Sequence, residues 1–259
     1  MAFTEILLGL LVVVTHFIEA VTGFGSAVLA LPFAASLTGV AAAVPLLSFH
    51  SWLFAAWVVA ADFKKIMWRQ YCTAMLFVLM GLPLGMWAYT VLPETVLKLI
   101  LAAFMLAVSV NGTIRHFHRP AGEAESDISP LRTRKWRAVL YVLLFLGGVI
   151  HGAFATGGPL LMIYTTLTIK EKGSFRATMC AIWFSLNAIV LARFLLTGAF
   201  TPEVTRLSLV TLPFLLAGVL LGAWAHKRIP DRYFARVVYI VLFLSGCFLA
   251  YPAISALLR

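Results

Sequence analysis

Two apolar blocks, residues 3–37 and 138–169, are each too long for a single passage through a bilayer, and each is broken by glycines. The first carries TGFGSAVLALP at 22–32 and the second ATGGPLLMIY at 155–164. A chain in hydrocarbon has no water to serve its backbone, so only helices and closed barrels can cross. A glycine break at membrane depth therefore survives only where protein or a water-filled cavity satisfies the freed N–H and C=O groups. Helices that stop, expose backbone and restart are a recurrent way of building a binding site inside a membrane.

Composition fixes the solvent. With 62% hydrophobic and 12% charged residues, and a mean hydropathy of +0.99, the chain is too poor in polar surface for a water-soluble protein of 259 residues. One polar stretch, 115–137, is long enough to sit wholly in water, which leaves no room for a soluble catalytic domain. The net charge of +10 does not point to nucleic acid, because 16 of the 20 Lys and Arg fall in four short segments, 64–69, 115–137, 170–176 and 227–236. That is the positive-inside pattern, and it predicts a multi-pass protein of the cytoplasmic (inner) membrane with the loops 62–69, 115–137, 170–176 and 227–236 cytoplasmic and both termini external. Cys72, Cys180 and Cys247 lie in apolar sequence without paired spacing, as small core residues do. No metal, cofactor or catalytic residue is expected. The N-terminus shows no basic n-region or cleavage site and is expected to belong to the mature protein.

The chain also repeats itself. GLPLGMWAYTVLP from Gly81 aligns without a gap on GVLLGAWAHKRIP from Gly218, with Gly81/Gly218, Gly85/Gly222, Trp87/Trp224 and Pro93/Pro230 identical. Apolar sequence matches Leu and Ala by chance, but seldom Gly, Trp and Pro in register. Carried upstream with a shift of a few residues, the alignment sets His16 against His151 and Thr22-Gly23 against Thr156-Gly157. Read as single crossings, the opening blocks would leave the basic segment 227–236 outside. Read as re-entrant hairpins, they place all four basic segments on one side and give three further crossings per half, so that the second half is the first inverted. The expected fold is an all-α polytopic membrane protein of two inverted-topology repeats, each a re-entrant or broken helix hairpin followed by three transmembrane helices. The N-terminal repeat covers 1–117, a basic cytoplasmic connector 118–136, and the C-terminal repeat 137–259. The predicted spans are a hairpin over about 3–37, helices over about 40–61, 70–92 and 94–117, a second hairpin over about 138–169, and helices over about 174–198, 204–227 and 231–257.

A half-helix that starts at Gly25-Ser26 or at Gly158-Pro159 points unpaired N–H groups and the positive end of its dipole at the break. Two such ends from opposite sides would hold a small anion without any Lys or Arg. On this basis Thr22, Gly23, Phe24, Gly25 and Ser26, with Thr156, Gly157, Gly158 and Pro159, are candidate substrate-binding residues. The same glycines could serve only to let helices pack closely. Ionisable groups in spanning segments are functional candidates, since a charge at mid-bilayer costs at least about 2.5 kcal/mol. Glu19, with His16 one turn earlier on the same face, is a candidate proton-coupling pair; a Glu hydrogen-bonded near the outer interface is the equal alternative. His151 precedes the second break and, as the repeat mate of His16, joins the substrate candidates; a satisfied packing histidine is the near-equal alternative. His50 and Asn187, at equivalent positions of the two halves, are either lining groups or interhelical hydrogen bonders. Arg193, near the outer end of its helix, either snorkels, the preferred reading, or draws anions into the outer vestibule, and Trp52, Trp57, Trp68, Trp87 and Trp224 are read as packing and interfacial aromatics.

These residues resemble a known family. The opening GFGSAVLALP, the later TGGPLLMIY, the duplicated layout and the length look like the sulfite exporter TauE/SafE family of membrane permeases over nearly the whole chain. The resemblance implies a secondary transporter of small sulfur-containing anions, such as sulfite, sulfonates or related oxyanions. Many members carry glycine where this chain has Ser26. The implied partners are a small anion and the lipid bilayer, with a homodimer left open and no nucleic acid. An anion channel or a carrier of a non-sulfur organic anion is the alternative. An intramembrane hydrolase is weaker, because HFIE at 16–19 lacks the second histidine of a zinc motif and a duplicated break is more than one nucleophile needs.

Overall fold

In the computed structural model, the described residues are 3–23, 25–93, 134–155, 157–169 and 171–226, with isolated helical positions between 95 and 110 and between 243 and 251. The first apolar block forms two helices, α1 (Phe3–Thr22) and α2 (Ser26–Thr38), separated at the glycines. α3 (Val40–Asp62) follows, then a single 3-10 turn and α4 (Trp68–Val91). The second block repeats the arrangement as α5 (Arg134–Phe154) and α6 (Gly158–Thr168), followed by α7 (Lys172–Leu196) and α8 (Pro202–His226). Six of these helices are long and apolar enough to cross a membrane. α2, with 13 residues, and α6, with 11, are not. The helices expected over 94–117 and 231–257, and the basic loops 115–137 and 227–236, lie largely or wholly outside the described residues.

Close backbone approach organises the bundle. Along α1 and α8, Gly9 faces Phe214, Val13 faces Gly218 and Phe17 faces Gly222, while the Glu5 carboxylate pairs with Arg206 at the start of both helices. Residue numbers rise together, so α1 and α8 run parallel. Along α4 and α5, Val78 faces Gly148, Gly81 faces Phe145 and Val149, and Gly85 faces Val149 and Ala153, again in parallel. Glycine is needed here because a Cβ would meet the carbonyl of the neighbouring helix. The hairpin helix of each half thus packs on the Gly-rich helix of the other. α3 and α7 cross antiparallel between these pairs, tied by Asp62–Arg176 at 3.9 Å and by Trp52 stacked on Phe184, and the Met67 N–H at the start of α4 donates to Thr178 Oγ1 of α7 at 2.9 Å.

The basic segments at 64–69 and 170–176 meet at one end of the bundle. Lys65 reaches Asp62 at 2.8 Å, and Arg176 approaches the same carboxylate. Glu171 caps α7 there, accepting from the Gly173 and Ser174 N–H groups. Those bonds, the Ser174 ones first, hold its carboxyl below the usual carboxylate range.

Candidate functional site

The first break is made by backbone geometry that other residues rarely adopt. Gly23 and Gly25 hold φ at 84° and 105°. The Gly23 N–H closes α1 by donating to the Glu19 carbonyl at 2.6 Å, and α2 restarts at Ser26. Behind Gly23 the α7 backbone and the stem of Arg176 would crowd a Cβ at 3.0–3.4 Å, whereas a Cβ on Gly25 would meet open space. At the second break Ala155, at φ 54°, donates its N–H to the His151 carbonyl at 2.7 Å, and α6 restarts at Gly158. The two breaks correspond in register, since 19/151, 23/155 and 26/158 share an offset of 132, although Gly25 at φ 105° and Gly157 at φ −62° differ in backbone. The packing pairs 13/145 and 17/149 give the same offset. This corrects the alignment drawn through the Thr-Gly motifs, which set His16 against His151. The counterpart of His151 is Glu19.

Both breaks open on one small cavity, lined by Glu19, Gly25, Ala27, Val28, Ser51, Ala155, Gly158, Trp183 and Asn187. α2 and α6 start at its wall, so two sets of free helix N–H groups face it. Asn187 Oδ1 is buried at the cavity without a hydrogen-bond partner. Oxygen and nitrogen of an amide exchange places by a flip, so this end of Asn187 can also present a donor. Glu19, the carboxylate among the described lining residues, accepts the Ser26 hydroxyl at 2.5 Å, and Ser26 Oγ lies 3.1 Å from Ser51 Oγ.

Behind Glu19 lies a histidine pair. His16 Nδ1 is 3.0 Å from the Val12 carbonyl, which can only accept, so Nδ1 carries hydrogen. The other nitrogen, Nε2, is 3.9 Å from Glu19 Oε2 and has no hydrogen-bond partner. The His50 ring stands edge-on to His16 at 5.8 Å, its Nε2 3.3 Å from the Ser208 carbonyl and 3.2 Å from Thr211 Oγ1. His50 is thus held by α1 and α8 and is not among the cavity residues, whereas its repeat mate Asn187 is. His151 is fully buried, stacked on Trp183 at 5.6 Å, with both ring nitrogens unpartnered.

Of the residues singled out from sequence, Glu19, Gly25, Gly158 and Asn187 line the cavity, Ser26 joins it through Glu19 and Ser51, and His151 joins it through Trp183. Gly23 offers its carbonyl to Trp183 Nε1 at 3.3 Å, and Gly157 packs against Gly147 and His151. Phe24 and Thr156, and the side chains of Thr22 and Pro159, lie outside the described residues. Sequence reasoning missed Ser51 and Trp183. The second touches both breaks, through the Gly23 carbonyl and through His151. Arg193 does more than snorkel, since Nη2 donates to the Met86 carbonyl at 2.9 Å. Among the described residues no cluster of His, Cys, Asp and Glu could hold a metal ion.

Comparison with known proteins agrees with this architecture. The family described as "Sulfite exporter TauE/SafE" matches residues 7–249. A relative from Comamonas testosteroni named "Probable inner membrane transporter protein TsaS" is 24% identical over 186 residues, covering 71% of this chain and 73% of its own. No solved structure matches the chain.

Proposed function

Because the chain belongs to the sulfite exporter TauE/SafE family, and so is a membrane transporter rather than an enzyme, we propose that it carries a small sulfur-containing anion across the inner membrane by alternating access. The anion is sulfite, a sulfonate or a related oxyanion, held between the starts of α2 and α6. The observation that carries this is the cavity itself: two broken helices open on it, and the buried Asn187 amide, whose Oδ1 position has no partner, lines it and can turn its NH2 there. Helix N–H groups suit an anion that no Lys or Arg among the described lining residues neutralises. The sulfur chemistry comes from the family description alone.

The carrier is built from two inverted repeats. Support comes from direction: α1 runs with α8, α4 runs with α5, and α3 opposes α7, so each helix of the first half has a counterpart pointing the other way. Inverted halves that meet at a broken-helix site offer two nearly equivalent arrangements, one open to each side. Coupling to protons follows from Glu19. A carboxylate in the wall repels an anion in the cavity, so anion and proton enter together and Glu19 is charged in the empty return state.

Purified protein in liposomes tests the reading. Sulfite flux should saturate, respond to an imposed pH gradient and vanish in Gly25→Leu and Gly158→Leu while the protein remains folded. Unchanged flux in both variants would show that the anion does not pass between the starts of α2 and α6. Large single-channel currents would make the protein an anion channel instead.

A further inference from the structure

Ser51 has no place in any motif, yet it lies at the end of a chain of hydroxyls that starts on the cavity's carboxylate. We infer that Ser51 is the anion-facing donor of the cavity, and that the protonation of Glu19 sets the direction in which its hydroxyl points; this rests on the anion-carrier reading above. Ser51 is 4% exposed, lines the cavity, and has Ser26 Oγ at 3.1 Å; Ser26 Oγ in turn lies 2.5 Å from Glu19 Oε2. Neither serine bonds back to its own helix, in contrast to Ser48, whose hydroxyl is spent on the Val44 carbonyl at 2.6 Å.

Each hydroxyl has one hydrogen, so the chain has two self-consistent directions. With Glu19 ionised the carboxylate can only accept. Ser26 then donates to Glu19 Oε2, Ser51 donates to Ser26, and lone pairs of Ser51 face the cavity. With a proton on Glu19 Oε2 the carboxyl donates to Ser26, Ser26 donates to Ser51, and the Ser51 hydrogen is free for a cavity anion. One O–H bond changes in the exchange: Glu19 Oε2 takes a proton from water or returns it there, while both serine O–H bonds stay intact and the two hydroxyls only rotate. Protonation thus removes a repelling charge and also supplies a donor. Loss of the proton turns lone pairs toward the ligand and helps expel it.

Other groups titrate nearby. His16 faces Glu19 from its own helix, and His50 of α3 stands behind His16. α7 brings Cys180 and Arg176, the latter with Asp62 of α3, while His151 of α5 lies across Trp183. α2 contributes Ser26 alone, and the described ion pair between α8 and α1 is Arg206 with Glu5, at the far end of α1. All remain in place when Ser51 is replaced, so their pH dependence is common to every protein compared.

The test is calorimetric binding of sulfate and of methanesulfonate, whose charges do not change over the range used, at the acid and alkaline ends of the purified protein's stable range. Wild type should bind more tightly at the acid end. Ser51→Ala should weaken acid-end binding about tenfold, as loss of a charge-assisted hydrogen bond does, and tighten alkaline-end binding by removing the lone pairs that face the anion there; Ser51→Thr should restore the wild-type difference between the two ends. Ser26→Ala severs the chain and should likewise tighten alkaline-end binding. Equal loss at both ends in Ser51→Ala would make Ser51 an ordinary contact and overturn the inference, with the carrier reading intact. Wild type that binds neither anion at either end would overturn both.

Discussion

Gly25 occupies a backbone conformation, φ 105° and ψ −11°, that an L-residue adopts only under strain, yet a Cβ there would touch nothing within 4 Å. Its glycine is thus required by conformation and by the open face it leaves toward the cavity, and not by helix packing. Gly25→Ala should lower the protein's stability by about 1–2 kcal/mol, read as a drop in melting temperature, despite the free space; no drop would mean that the break relaxes without cost. At this scale some of the site is legible in sequence and some is not. Glu19 stands out because a carboxyl in an apolar run is costly unless used. Ser51 does not, because serines in membrane helices commonly bond the carbonyl one turn back, as Ser48 does, and nothing in the local sequence separates the two. Trp183 resembles the other membrane tryptophans until its N–H is seen on the Gly23 carbonyl.

The helices themselves were largely written in hydropathy and glycine placement. The hairpin expected over 3–37 is α1 and α2, the one over 138–169 is α5 and α6, and α3, α4, α7 and α8 fall within a few residues of their expected spans. The duplicated glycines carried a second meaning that alignment alone does not give. Gly81 and Gly85 sit under α5, and Gly218 and Gly222 under α1, each where a Cβ would press on a carbonyl or side chain of the hairpin helix. Gly85→Ala and Gly222→Ala should each cost about 1–3 kcal/mol through overpacking, seen in thermal melts, while a stability equal to wild type would contradict the close crossing. The register of the two breaks was misread because Thr-Gly occurs in both, and a shared dipeptide outweighed what only hydrogen bonds reveal. Glu19 and His151 close equivalent last turns, so the halves present an acid and an imidazole at matching positions.

Across the whole molecule, a pattern of charge anticipated the arrangement of ends. The basic segments at 64–69 and 170–176 gather around Asp62, and the Glu5–Arg206 pair closes α1 and α8 at the other end of α1. Between them two broken helices meet at one cavity, which is the central claim for function: a small sulfur anion occupies that point. The measurement that tests it most directly is the melting temperature of the purified protein in sulfite, thiosulfate, sulfate, a short organosulfonate, chloride and lactate, at two pH values. A ligand that prefers the folded state stabilises it by about 2.7 kcal/mol at a hundredfold excess over its Kd. At least one sulfur anion should raise the melting temperature well beyond chloride, more so at the lower pH, and Gly158→Leu should abolish the rise. A shift no larger than chloride's with every sulfur anion, or a full shift retained in Gly158→Leu, would contradict the central claim.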